Sequence, residues 1–257
     1  MWNLYDTTLN SRLILGTAGY PSPQILLESI EKSKCEVVTT SLRRTSQNGA
    51  DNSFWALLQK SGVKILPNTA GCHGVKEAVT TAMMSREIFE TNWIKLEIIG
   101  DQLTLQPDPF ALVEATALLI KEGFNVFPYM TDDLILAQRL VDLGCEVLMP
   151  WAAPIGSGQG LINQHALKTL RERLPNTQLI IDAGIGRPSD ATTAMELGYD
   201  GIMLNTAVAK ATHPALMAKA FAQATDAGRA GYKAGIIPKH QFAQPSSPVI
   251  GTPFWHD

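Results

Sequence analysis

A (β/α)8 TIM barrel is the fold this sequence predicts, and three observations predict it. Eight short apolar, β-branched runs punctuate the chain: Leu13–Leu15, Glu36–Thr40, Val63–Leu66, Trp93–Ile99, Asn125–Pro128, Glu146–Met149, Leu179–Asp182 and Gly201–Leu204. They recur at a spacing of about 27 residues, the size of a strand plus its crossover helix. Segments of helical period separate them, so that strand precedes helix eight times over within 257 residues. An open doubly wound sheet is the competing architecture.

The helical segments carry their own start and stop signals. Ser22-Pro23 opens one that runs to Lys34, with proline in the first turn, where its missing N–H has no intrahelical partner to lose. Asp108-Pro109 opens another through Ala111, Leu112, Ala115, Leu118, Leu119 and Glu122, an apolar stripe at helical spacing. Asp132 precedes a third, which ends before Gly144; Ser189 is expected to cap a fourth ending near Gly198; Pro214 starts a fifth reaching Gly228. No composition shift or linker divides the chain. Residues 1–257 are therefore expected to form one barrel domain, with 229–257, rich in Gly, Pro, Ser and Gln, a tail outside the repeat.

Composition excludes several classes of function. Hydrophobic residues make up 45% and charged residues 18%, which argues against disorder. Lys and Arg total 21 against 24 Asp and Glu, a net charge of −3, so the chain is not expected to hold nucleic acid. Cys35, Cys72 and Cys145 are odd in number, widely spaced and without a CxxC, which points away from a disulfide framework and a cysteine-built zinc site. The five histidines show no HxH or HExxH spacing, and no metal or cofactor is expected. The first fifteen residues lack a basic segment followed by an apolar run, and the longest uncharged stretch, Val147–Leu167, is a loop-rich one full of Gly, Pro, Ser, Asn and Gln. A cytoplasmic enzyme with no membrane contact is the expectation.

In a barrel, function sits in the loops after the strands. Alternation along Trp93–Ile99 puts Trp93, Lys95 and Glu97 on one face and Ile94, Leu96 and Ile98 on the other; with the aliphatic face against the helices, Lys95 and Glu97 point into the barrel. Charges there are costly unless paired or functional. Two readings stand: an ion pair that fills the barrel, or a Lys95 amine that forms an imine with a ketone or aldehyde. The second needs desolvation to lower the lysine pKa by about three units, and an ionised Glu97, about 7 Å along the strand, opposes that. After the seventh strand comes Asp182-Ala183-Gly184-Ile185-Gly186, and after the eighth Asn205-Thr206-Ala207. Small residues there, each followed by a helix start, match the barrel phosphate site, although a tight turn explains Gly-Ile-Gly equally well. The glycine-dense loop Ala153–Gly160 either closes over a ligand or is a plain connection. Pro67–Cys72 brings polar groups to the end of the third strand, with Cys72 expected to pack rather than attack.

Taken in order, these segments resemble bacterial thiazole synthase, the ThiG-type enzyme of thiamin biosynthesis, over roughly Ser11 to Pro248. The carriers are Ser11-Arg12-Leu13, Leu42-Arg43-Arg44, Leu66–Cys72, Asn92–Glu97, Leu105–Pro109, Ala153–Gly160, Asp182–Gly186 and Leu204–Ala207. The resemblance implies a transferase in which Lys95 forms an imine with 1-deoxy-D-xylulose 5-phosphate and Glu97 and Asp182 move protons. It implies that Gly156, Ala183, Gly184, Asn205 and Thr206 hold the sugar phosphate. It also implies sulfur delivered as the C-terminal thiocarboxylate of a ubiquitin-like carrier protein, dehydroglycine from a producing enzyme, and a homotetramer. The chain departs from the family at Gly16-Thr17-Ala18-Gly19-Tyr20, which lacks a usual lysine, at Thr39-Thr40-Ser41, where aliphatic residues are commoner, and at Trp151, where a smaller aliphatic is usual. Competing readings are a class I aldolase or isomerase of a sugar phosphate, and a non-catalytic scaffold for the carrier.

Overall fold

The computed structural model of the chain describes residues 1–42, 58 and 60–246. Arg43, Arg44, Ser247 and Pro248 of the segments named above lie outside the described residues. The chain begins with a hairpin, β1 (Trp2–Leu4) and β2 (Thr7–Leu9), followed by β3 (Leu13–Gly16), α1 (Pro23–Ser33), β4 (Val37–Ser41) and β5 (Lys64–Asn68). Then come α2 (Val75–Phe89), β6 (Trp93–Leu96), α3 (Pro109–Lys121), β7 (Asn125–Met130), α4 (Leu134–Asp142), β8 (Val147–Pro150) and α5 (Gln164–Arg173). The last elements are β9 (Gln178–Asp182), α6 (Pro188–Glu196), β10 (Gly201–Leu204), α7 (Thr206–Ala209) and α8 (Pro214–Ala234). Strands β3 to β10 pair in parallel and close, β10 against β3, into a barrel. The open sheet is thereby excluded, and all eight predicted strands are present.

The helix starts follow local chemistry. Ser22 Oγ accepts from the Ile25 N–H at 3.3 Å, and Asp108 Oδ1 from those of Phe110 and Ala111 at 2.9 and 3.1 Å. Asp133, one residue beyond the predicted Asp132, caps α4 through the Leu136 N–H; Asp132 instead accepts from Trp151 Nε1 and Asn163 Nδ2. Ser189 does not cap α6. It lies within the first turn, because Pro188 already starts the helix and the Asp190 carboxylate takes the N–H groups of Gly186 and Arg187 at 3.0 and 2.8 Å. Nor does Gly228 end the last helix, which continues to Ala234, so residues 229–234 belong to α8 and not to a tail. A Cβ on Gly228 would lie 2.5 Å from Thr192 O, so this glycine serves close packing of α8 on α6 rather than termination.

The two faces of the barrel wall separate as alternation requires. Ile94, Leu96 and Ile98 belong to the apolar layer under the helices. Ile14, Val37, Leu66, Trp93, Phe127, Val147, Met149, Ile180 and Met203 turn inward and pack on one another. The hairpin, which the strand periodicity does not reveal, adds Trp2, Leu4 and Leu9 to this inner cluster, closing the end where the barrel strands begin. Tyr5 at its turn donates to Val126 O at 2.7 Å, and Trp2 Nε1 to Ser11 O at 2.8 Å. Beside it, the buried Asp200 pairs with Arg171 at 2.9 Å and Arg229 at 3.3 Å, tying α5 and α8 to the turn before β10. No helix among the described residues is long and apolar enough to cross a membrane.

The lower barrel is thus a packed core that the hairpin completes. Truncating the fully buried Leu4 to alanine is expected to cost about 2–5 kcal/mol in urea unfolding. Leu103→Ala, at a side chain 95% exposed, is expected to stay within about 0.5 kcal/mol of the parent in the same measurement.

Candidate active site

Above the apolar layers the inward positions become polar. Lys95 is in register with Asn68 of β5 and Phe127 of β7, and Asp182 with Met203 of β10. Glu97 lies just past the end of β6. The strand was expected to run to Ile99 but leaves the ladder after Leu96, because the Thr69 hydroxyl replaces a neighbouring strand. Its Oγ1 accepts from Glu97 N–H at 2.8 Å and donates to Glu97 O at 2.7 Å. That clamp turns the carboxylate back toward the lysine.

Lys95 Nζ is 3.0 Å from Glu97 Oε1 and 2.5 Å from Asp182 Oδ2. The 7 Å expected from strand spacing describes the backbone; the side chains converge. All three residues are buried, Lys95 at 3% exposure. Burial alone disfavours the ammonium, but the carboxylates of Asp182 and Glu97 outweigh it and hold Lys95 above the usual lysine range. Of the two opposing effects weighed from the sequence, the carboxylates prevail: two anions within a hydrogen bond are stronger than the loss of water. Burial pushes Asp182 up to about 6, Lys95 opposing the rise and Glu97 adding to it. The resting site is an ammonium between two carboxylates, one of which is poised to take a proton near neutrality. The fully buried Tyr129 ring lies beside the amine, its centroid 5.6 Å from Lys95 Nζ. The residues missed from sequence are Tyr129, Thr69 in its clamping role and Met203, whose sulfur lies 3.8 Å from Lys95 Nζ. Alternation along β7 and β10 is the signal that would have found Tyr129 and Met203.

A cavity of about 410 Å³ opens over these groups. It sits off the barrel axis, because β7 and β8 fill their side with Phe127, Tyr129 and Met149, whereas β3 offers Gly16 and β4 offers Thr39. Gly156, Ala183, Gly184, Asn205 and Thr206 all border it, so every predicted binding residue lines one cavity with Lys95, Glu97 and Asp182. The loop after β8 folds onto the loop after β9 through Gly160 N–H to Gly184 O at 2.8 Å and Ala152 N–H to Ala183 O at 3.3 Å. Gly184 has φ +76°, and a Cβ there would lie 2.4 Å from Ala153 N, so only glycine lets the two loops meet. Gly186 and Arg187 spend their N–H groups on Asp190. The N–H groups of Gly156, Gly184, Ile185, Thr206 and Ala207 have no acceptor among the described residues. Converging backbone donors of this kind suit an anion without any net positive charge. Cys72 is buried, in keeping with a packing residue, and Trp151 borders the barrel mouth, its indole N–H 3.3 Å from Asp132 Oδ1.

A family model described as thiazole biosynthesis protein ThiG matches residues 3–248. The chain belongs to the ThiG family. It is 60% identical to the thiazole synthase of Rhodopseudomonas palustris (strain BisA53) over 257 residues, all of this chain and 99% of that one. It is 58% identical to the thiazole synthase of Bradyrhizobium sp. (strain ORS 278), with the same coverage of both. Among solved structures, the BexX/CysO complex of Amycolatopsis orientalis contains a chain 27% identical, with a TM-score of 0.85 over 93% of this chain and 98% of that one. The resemblance carried by eight sequence segments is therefore family membership over the whole barrel.

Two outcomes follow for this ThiG-family site. Asp182 rises from 3.8 to about 6 on folding, so between those pH values the folded protein holds a proton that the unfolded chain releases. Its contribution to stability therefore falls as pH rises through that window. Urea unfolding of the parent and Asp182→Asn should show the parent's advantage shrinking from about pH 4 to about pH 6; an advantage that grows over that range contradicts the assignment. Gly184→Ala, read by calorimetric titration with inorganic phosphate, should weaken binding by about tenfold or more while circular dichroism stays native.

Proposed function

We propose that this thiazole synthase holds 1-deoxy-D-xylulose 5-phosphate in the off-axis cavity, its phosphate on the loops after β8, β9 and β10 and its ketone carbon on Lys95. The observation that carries the reading is a fully buried amine between two carboxylates at the base of a cavity whose opposite wall is lined with unspent N–H groups.

The resting ammonium cannot attack, and the 2.5 Å contact supplies the remedy. One proton passes to Asp182, whose raised affinity suits it to accept; the freed amine adds to the ketone carbon. The carbonyl oxygen, protonated in turn, leaves as water, and an iminium remains. That cation replaces the ammonium between the same two carboxylates, so the site needs no rearrangement to stabilise it. The iminium acidifies the neighbouring C–H by giving its electrons a sink, and Glu97, held at 3.0 Å from Nζ by the Thr69 clamp, is placed to remove that proton. A phosphate anchored at the far end orients the ketone, so that binding energy is spent on alignment. Sulfur then enters from the thiocarboxylate of a ubiquitin-like carrier and the C–N unit from dehydroglycine made by a separate enzyme, and cyclisation gives the thiazole phosphate.

The solved BexX/CysO complex supports a protein partner for a barrel of this shape. Exposed Met84 and Ile88 of α2, Phe110 and Leu118 of α3 and Ile135 of α4 support self-association, in our reading as a homotetramer, and the setting is cytoplasmic. The aldolase, isomerase and scaffold readings give way to the full-length likeness to thiazole synthases.

Borohydride reduction in the presence of 1-deoxy-D-xylulose 5-phosphate, followed by peptide mass spectrometry, tests the reading. A reduced sugar-phosphate adduct on Lys95, absent from Lys95→Ala, is the expected result. A folded protein that binds the sugar phosphate and yields no adduct overturns it and leaves Lys95 a structural ion-pair partner.

A further inference from the structure

The strand order from the anion-binding loops round to the amine is β10, β3, β4, β5, β6. Along this arc the residues that border the cavity include, one per strand, Asn205, Gly16, Thr39, Asn68 and Lys95. Gly16 leaves the second strand of the arc bare, and Asn205 leans across it: a Cβ on Gly16 would lie 2.5 Å from Asn205 Cβ. A ligand anchored at one end of the arc and bonded to Lys95 at the other must pass over Thr39 and Asn68.

Those two side chains hold each other in one orientation. Asn68 Nδ2 donates to Thr39 Oγ1 at 2.9 Å, and Asn68 Oδ1 accepts from the Ala70 N–H at 3.1 Å. The amide oxygen and one amide hydrogen of Asn68 are thereby spent. Its second N–H and the hydroxyl hydrogen of Thr39 have no acceptor among the described residues. Thr39 is 2% exposed and Asn68 9%. On the other side of Gly16, Asn205 Oδ1 is buried and has no donor among the described residues. Buried donors and acceptors left in this state are costly, and a bound group that pairs with them removes the cost.

We infer that Thr39 and Asn68, together with Asn205, determine specificity by reading the hydroxyl groups that lie between the phosphate and the ketone of the substrate. Two donors on one side and one acceptor on the other match hydroxyls, which accept and donate at once. A phosphate would face the Asn205 carbonyl oxygen, and a methylene chain would leave all three groups unpaired. Thr39 also opens the Thr39-Thr40-Ser41 stretch, noted above as standing where aliphatic residues are commoner, and Ser41 borders the same cavity. The inference rests on the phosphorylated ketose assigned above and adds the part of that molecule the wall recognises.

The test is calorimetric titration of the full chain with 1-deoxy-D-xylulose 5-phosphate, its 3-deoxy and 4-deoxy analogues, and inorganic phosphate. The parent should prefer the fully hydroxylated ligand by about tenfold, and Thr39→Val, which keeps the branched shape, should reduce that preference to about threefold or less for one analogue. Thr39→Ser should restore the preference, and inorganic phosphate should bind parent and variant alike. Asn68→Ala provides a second reading should Thr39→Val fail to fold, with the same loss of preference expected. An unchanged preference in the folded variants, or a loss that extends equally to inorganic phosphate, overturns the inference. The Lys95 adduct is scored separately, so failure of the imine reading is distinguishable from failure of the hydroxyl wall.

Discussion

A single buried contact organises this barrel: the Lys95 ammonium between Asp182 at 2.5 Å and Glu97 at 3.0 Å. Removing one partner of such a buried set typically costs about 3–5 kcal/mol, because it strands a charge away from water. The surrounding structure keeps the three groups together and dry. Thr69 pins the Glu97 backbone on both sides, the Tyr129 ring closes one flank, and the apolar layer with its hairpin plug seals the floor. The same low dielectric that makes the contact strong is what raises Asp182 to about 6 and makes it a proton acceptor near neutrality.

The cavity follows from uneven filling of the interior. Barrel interiors are ordinarily packed by layers of side chains from alternate strands. Here β7 and β8 contribute aromatic and Met side chains, while β3 contributes a bare glycine and β4 a threonine, so the void lies to one side. That asymmetry puts one end of the void against Lys95 and the other against the loops after β9 and β10. Those loops are built for contact between backbones, with Gly184 meeting Ala153 where no side chain fits.

Much of the site was legible because strand alternation is a rule about faces. The placement of Lys95 and Glu97 inside and of Ile94, Leu96 and Ile98 outside needed only the period of two, and the order of loops needed only the repeat. What alternation does not report is distance. Asp182 belongs to β9, three strands from Lys95 in the barrel order, and residues 87 apart in sequence meet only because the sheet closes. The direction of the Lys95 shift was left open for that reason: one carboxylate along a strand competes with burial, whereas two that converge overcome it. Gly228 was misread as a helix end because a glycine that permits close helix packing and one that stops a helix look the same in sequence. The hairpin went unseen because three-residue strands carry too short a period to register.

By itself the sequence determined the barrel, the order of its strands, the inward face that bears the amine and the family to which the chain belongs. These are consequences of local periodicity and of segments that keep their order, which need no knowledge of how distant parts meet. Closure of the sheet decided the rest. It brought Asp182 onto Lys95, set Asn205 across the space left by Gly16, and left the donors of Thr39 and Asn68 facing a cavity. Electrostatics and hydrogen-bond satisfaction depend on separations in space, and those exist only once the eighth strand of the barrel has joined the first.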